Sequence, residues 1–149
     1  MLPKILVKVK KLHDDAIAPS YATPGSACFD LHTVQHGLVN DNIVAGPIVF
    51  RTGLAFEIPK DHVMLVFSRS GHGFKHGIRL VNCVGVIDSD YRGEVMVGLI
   101  KDQEGVVEVK AGYRIAQAMI IPTLDVGFQI VKELSDTERG EGGFGSTGA

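Results

Sequence analysis

The sequence predicts an all-β fold, a jelly-roll-like barrel or sandwich, with one short helix and a flexible glycine-rich C-terminal tail. Apolar residues recur with period two in short runs bounded by Gly, Pro, Asn or Asp, and no window of ten or more residues carries a 3.6-residue apolar stripe. Turn formers are abundant, with 18 glycines and 6 prolines in 149 residues. Strands this short and this regularly spaced favour an antiparallel sandwich, jelly roll or barrel over a helix bundle. Residues 1–138 read as one β domain and 139–149 as a mobile lid, because no repeat period or internal linker marks a second domain.

The elements follow in chain order. Ile5, Val7 and Val9 alternate in a first strand, with Lys8, Lys10 and Lys11 along an edge where charge discourages pairing with other chains. Leu54, Phe56 and Ile58 give a further alternating strand. Val63–Phe67, Ile78–Val81 and Ile115–Ile121 are more continuously apolar and are predicted to be covered on both faces, with Pro122 closing the last. Ser70–His76 offers the best helical opportunity, a turn or two. A hairpin is predicted from Val84 through the turn Asp88-Ser89-Asp90-Tyr91 and back along Glu94–Ile100, where Val95, Val97 and Leu99 alternate; Val107 and Val109 follow. The total is about ten strands. Gly140–Ala149 then holds five glycines in ten residues.

Composition narrows the function classes. The chain is 45% hydrophobic and 21% charged, and 15 basic against 17 acidic side chains leave −2, which argues against disorder, a coiled coil or a polycation for direct nucleic-acid binding. Cys28 and Cys83 have neither zinc-knuckle nor disulfide-framework spacing, so a reducing, cytoplasmic setting is expected. No signal-peptide pattern is seen and no apolar run approaches the ~18 residues of a membrane span, so no membrane partner is expected.

Three segments could carry chemistry. In Val84–Gly93, Asp88 stands at the end of an apolar strand, where partial desolvation suits a base that takes a proton from water; spacing alone favours the simpler reading of a turn cap. Phe67-Ser-Arg-Ser-Gly-His-Gly-Phe74 offers a guanidinium, hydroxyls and backbone N–H groups to a phosphate, although it lacks the Gly-Lys-Ser/Thr of a Walker loop and Ser/Gly-rich connectors are common. The tail from Arg139 strings a cation, the aromatic Phe144 and two hydroxyls on glycine-rich backbone. Ordering ten such residues costs on the order of 10–20 kcal/mol, so the tail closes only on a ligand or neighbouring subunit. The six histidines read as surface or packing residues: His72 and His76 are spaced i, i+4 but lack the Glu of a zinc motif.

Taken together, five ordered segments resemble the motifs of the trimeric deoxyuridine triphosphatases (dUTPases): Pro24-Gly-Ser-Ala-Cys-Phe-Asp-Leu31, Ser68-Arg-Ser-Gly71, Gly85-Val-Ile-Asp-Ser-Asp-Tyr-Arg-Gly93, Gly112-Tyr-Arg-Ile-Ala-Gln117 and Arg139-Gly-Glu-Gly-Gly-Phe-Gly-Ser-Thr147. Cys28 departs from the family's usual glycine, and Tyr113 from a small acidic residue. The resemblance implies a jelly-roll homotrimer whose sites combine motifs one, two and four of one chain, the hairpin of a second and the tail of a third. It implies hydrolysis of dUTP to dUMP and pyrophosphate with Mg²⁺ on the triphosphate. Asp88 would activate water and meet the 3′-hydroxyl, and Tyr91 would pack on the deoxyribose. Asn82, Gly85 and Ile87 would read uracil, while Arg69, Ser70, Gly71 and Gln117 would bind phosphate. Asp30 would reach the metal through water. Arg139, Phe144, Gly145, Ser146 and Thr147 would close over the nucleotide. The alternatives are a dCTP deaminase of the same fold, which attacks the base, and a non-catalytic regulatory member; the Asp88/Tyr91 pair and the tail favour the phosphatase.

Overall fold

The computed structural model describes residues 5–40 and 46–145. Among them lie ten strands and one helix: β1 (Lys8–Lys11), β2 (Phe29–His32), β3 (Gly37–Val39), β4 (Ile48–Glu57), β5 (His62–Phe67), α1 (Ser70–His76), β6 (Ile78–Leu80), β7 (Val84–Ile87), β8 (Glu94–Lys101), β9 (Val107–Val109) and β10 (Arg114–Pro122). The strands form two four-stranded sheets, ordered β1-β4-β8-β6 and β2-β10-β5-β7, and a β3-β9 ribbon. Their pairings are antiparallel. The predicted all-β, jelly-roll-like class is therefore the observed one. No helix among the described residues is long and apolar enough to cross a membrane.

The period-two pattern explains the core. Phe50, Leu54 and Phe56 of β4 and Val95, Val97 and Leu99 of β8 are buried with Leu31, Met64, Val66, Ile115 and Ala118 of the other sheet. Each large side chain so buried contributes about 1.5–3 kcal/mol. β1 lies at a sheet edge and is exposed at all four residues, the lysines included. Its Lys8 pairs with Glu57 across the ladder at 2.8 Å.

Two expectations are corrected. β7 and β8 do not form a hairpin ladder: β7 pairs with β5, whereas β8 pairs with β4 and β6, so residues 88–93 carry the chain from one sheet to the other. The alternation of Val95, Val97 and Leu99 commits β8 to the core of its own sheet and pulls it away from β7. The continuously apolar strands are not covered on both faces within one chain either. Val63, Leu65 and Phe67 are only half-buried, and Val81 and Ile121 are exposed, because the described residues supply no second layer over them.

A bulge in β4 fixes the start of β8. The β4/β8 register shifts between Arg51 and Ala55, around Gly53 at φ +68°. Glu94 accepts the Gly53 N–H at 2.8 Å and pairs with Arg51 at 2.9 Å, while the Thr52 hydroxyl donates to the Val95 carbonyl at 2.6 Å. A Cβ on Gly53 would sit 2.9 Å from the Ala16 Cβ. Gly53→Ala should accordingly cost about 1–3 kcal/mol of stability from left-handed strain and overpacking. A urea midpoint that drops with unchanged slope is the expected result, and an unshifted midpoint would show that the bulge tolerates a side chain.

Candidate active site

One half of the candidate site forms where β2, β10 and β5 end. In the ladders Gln117 faces both Asp30 and Phe67, so its amide lies beside the loop that follows β5, donating to the Ser68 carbonyl at 3.0 Å. The Asp30 carboxylate accepts from Arg69 Nε at 3.3 Å and from Arg114 Nη1 at 3.4 Å. Two cations thus share one anion, which leaves a surplus positive charge and free N–H donors suited to a phosphate. Ser70 and Gly71 open α1 in exposed positions next to Arg69. The helix ends at Gly77, whose φ of +62° lets its N–H cap the Gly73 carbonyl at 2.9 Å.

This half includes residues that the sequence reading set aside. His32, Arg69, His72, Gly112, Tyr113 and Arg114 line a cavity of about 300 Å³. His32 stands opposite Arg114 on β10 and on the same strand face as Asp30, a relation that the i, i+2 spacing carried. His72 is brought in by α1. The Nδ1 atoms of both rings are enclosed and have no hydrogen-bond partner. Burial pushes the His72 imidazole below its ordinary value, and Arg69, His76 and Arg114 push the same way. His32 is also lowered, chiefly by burial, against a smaller opposing pull from Asp30.

The second half is the cleft left where β7 and β8 part. Two adjoining cavities, about 300 and 210 Å³, share Val86, Ile87 and Met96; the larger also touches Asn82 and Gly85, the smaller Asp88 and Tyr91. β7 is an edge strand, so alternate N–H and C=O groups face outward with no strand to pair them. Gly85 keeps that edge close to its neighbours: a Cβ there would lie 3.1 Å from Val66. The Tyr91 hydroxyl donates to the Glu94 carbonyl at 3.0 Å, and its ring covers Gly93, where a Cβ would come within 3.0 Å of Cε2. Asp88 serves the turn through its carbonyl, which accepts from the Tyr91 N–H at 3.2 Å. Its carboxylate has no partner among the described residues and is exposed, so the desolvation expected at this position is absent in the single chain. Asp88 and residues 90–93 of the connection are exposed.

The two halves stand apart in one chain. β7 runs antiparallel to β5 with Phe67 opposite Val84 and Met64 opposite Ile87, which sets Asp88 level with Val63 while Arg69 lies beyond Phe67. Six residues of extended chain separate those levels by about 20 Å. No described residue of the tail lines the cavities of either half. Arg139 Nε donates to the Gly142 carbonyl at 2.7 Å, and Phe144 and Gly145 are exposed. Ser146 and Thr147 lie outside the described residues. The two motif departures are accommodated locally: Tyr113 closes a turn through its N–H to the Lys110 carbonyl at 3.0 Å, and burial, then Asp30, raises the Cys28 thiol.

The model of the dUTPase family matches residues 14–148. The deoxyuridine 5′-triphosphate nucleotidohydrolase of Nautilia profundicola is 46% identical over 142 residues, covering 95% of this chain and 98% of the relative. That of Helicobacter hepaticus is 43% identical over 150 residues, covering 99% and 92%. Among solved structures, the Staphylococcus bacteriophage 80alpha dUTPase with dUPNHPP superposes with a TM-score of 0.89 at 26% identity, over 98% of this chain and 100% of the other.

The histidine environment makes a pH prediction. A folded-state value below the unfolded one means that the unfolded chain binds more protons as pH falls, so stability is full above the unfolded value of about 6.5 and is lost as pH drops toward the folded one. His72→Asn should flatten that acid-side loss in urea midpoints recorded between about pH 7.5 and 5; identical pH profiles would show that the ring titrates as freely folded as unfolded.

Proposed function

The chain belongs to the dUTPase family, and from that premise we propose that it is a dUTP nucleotidohydrolase, yielding dUMP and pyrophosphate at sites assembled from more than one copy of itself. The observation that carries this reading is the β5/β7 register, which sets Asp88 about 20 Å along the strands from Arg69, too far for the base and the phosphate donor of one chain to meet on one substrate molecule. A second copy supplies the missing half. Exposed apolar side chains at Val49, Val81, Val86 and Met96, and along the segment after β10 where Phe128 is 92% and Ile130 99% exposed, give such copies surfaces to bury. A homotrimer, with the 84–93 segment from one neighbour and the tail from another, fits the motif assignment.

In this site Asp88 is the catalytic base. Its unpaired carboxylate takes a proton from water as the water oxygen bonds to the α-phosphorus and the bond to the bridging oxygen of the β-phosphate breaks, releasing pyrophosphate. Arg69, Gln117, the Ser70 hydroxyl and the N–H groups at Ser70 and Gly71 stabilise charge growing on the α-phosphoryl oxygens, and losing one such donor costs about 3–4 kcal/mol. Uracil lies along the β7 edge, read by backbone groups of Gly85 and Ile87 and by Asn82. Built for those hydrogen bonds, the pocket can reject cytosine by about 10⁴–10⁵. Tyr91 packs on deoxyribose and leaves no room for a 2′-hydroxyl. The lid, 139–149, folds over the bound nucleotide, with Arg139 on the γ-phosphate, Phe144 on uracil and Gly145, Ser146 and Thr147 on phosphate, and excludes competing water.

Mg²⁺ fits this donor set in one way. Asp30 is a single carboxylate beside the phosphate half, placed to touch through water an ion carried by the triphosphate. When bound, the ion neutralises charge on the phosphoryl oxygens. Asp30, oriented by Arg69 and Arg114, would contact the ion through its water shell.

Pyrophosphate release assayed with dUTP, UTP, dTTP and dCTP, with and without Mg²⁺, tests reaction and specificity together. Release from dUTP alone is expected; ammonia from dCTP without pyrophosphate from dUTP would replace the reading with deamination. Asp88→Asn should lower turnover by about 10²–10⁴ while dUpNHpp affinity stays within about tenfold, ~1.4 kcal/mol; a fully active variant would remove the base assignment. A chain ending at Glu138 should turn over slowly yet keep its oligomeric mass by light scattering, and unchanged kinetics would show the tail to be idle.

A further inference from the structure

The cavity between β2, α1 and the turn before β10 is lined largely by residues to which the dUTP reading gives no role. It opens beside Arg69, so it is continuous with the phosphate half, yet four of its six lining residues, His32, His72, Gly112 and Tyr113, have no part in the chemistry assigned above. Its charge is set by two guanidiniums against one carboxylate, Asp30, which already receives both. The imidazoles add direction. With Nδ1 enclosed and partnerless, the proton is better placed on Nε2, since a buried N–H without an acceptor is rarer than a buried lone pair without a donor. Nε2, which is not among the enclosed atoms, is then the nitrogen left to act as an N–H donor in the cavity that both residues line. His72 reaches this state without carrying charge, because burial and the neighbouring guanidiniums keep it neutral near pH 7.

Resting on the dUTP reading, we infer that this cavity is the subsite for the leaving end of the substrate, in which His32 and His72 donate Nε2–H to the two phosphoryl groups beyond the scissile bond while Arg69 and Arg114 balance their charge. Neutral donors suit a leaving group. They hold the pyrophosphate as its charge grows but bind it less tightly than two further cations would, so the product can depart. Both histidines are thus substrate-binding residues of this chain, reaching the part of the triphosphate that dUMP lacks.

The test compares three ligands by calorimetry on the full-length chain: inorganic pyrophosphate, dUpNHpp and dUMP. His72→Leu should weaken pyrophosphate and dUpNHpp by about tenfold each, leave dUMP within twofold, and be largely rescued by His72→Gln, which restores an N–H at similar reach. His32→Leu should show the same pattern. Wild-type affinities retained for all three ligands in both leucine variants would overturn the subsite alone. An equal loss of dUMP, or no rescue by glutamine, would overturn it in favour of a structural role for the rings. A wild-type chain that binds neither dUMP nor dUpNHpp would remove the dUTP reading and the subsite with it.

Discussion

β5 and β7 are joined by an antiparallel ladder in which Phe67 faces Val84 and Met64 faces Ile87, and most of what the chain can do follows from that register. It sends the Ser68–Gly71 loop out of one end of the sheet and the Asp88 turn out of the other. No side chain spans about 20 Å of strand, so an anion held at Arg69 and a base at Asp88 cannot serve one substrate molecule inside one copy. The same register makes β7 an edge, because β8 is drawn into the other sheet by its buried valines and Leu99. An unpaired edge is a hazard when it meets another strand, but beside a cleft it is a row of donors and acceptors in fixed positions. Register thus separates Asp88 from Arg69 and also leaves the β7 edge open beside the cleft.

The phosphate half depends on a different balance. Asp30, half-buried between Arg69 and Arg114, fixes both guanidiniums without cancelling them. A second carboxylate would neutralise the pair and repel a triphosphate; with none, the two cations would repel one another and lose their orientation. One anion for two cations is the composition that keeps the donors in place and the potential positive. Gln117 needs no such charge, since its carbonyl partner at Ser68 orients the amide through the β10/β5 register.

Much of this was legible in the sequence because it is local. Period-two alternation located β4, β8 and β9, the break at Ser70–His76 located α1, and the five segments placed Asp30, Arg69 and Gln117 on three elements that the fold brings together. What was not legible is pairing. Val84–Ile87 and Glu94–Ile100 look like the arms of a hairpin because each alternates and a turn joins them, yet hairpin and sheet-crossing connection share that pattern and differ only in which partners are available. The histidines were missed for a related reason: His32 and His72 are forty residues apart and meet only through β10 and α1. Their shared signal was weak, a polar residue two places after Asp30 and another two after Ser70.

Continuously apolar strands were read as covered on both faces, and in the single chain they are not. The two facts agree if the missing layer is another copy. β5 and β10 bury one face in the core and leave the other half-covered, while the segment after β10 leaves its large apolar side chains in water and makes its last backbone contact with the core at Thr123, which donates to the Asp61 carbonyl at 2.8 Å. At about 25 cal/mol per Å² a few such side chains recover several kcal/mol on burial, enough to offset part of the cost of association. The chemistry and the packing therefore ask for the same thing. A chain that holds Asp88 about 20 Å from Arg69 also leaves apolar surface in water, and those two observations are independent grounds for proposing more than one copy at each site.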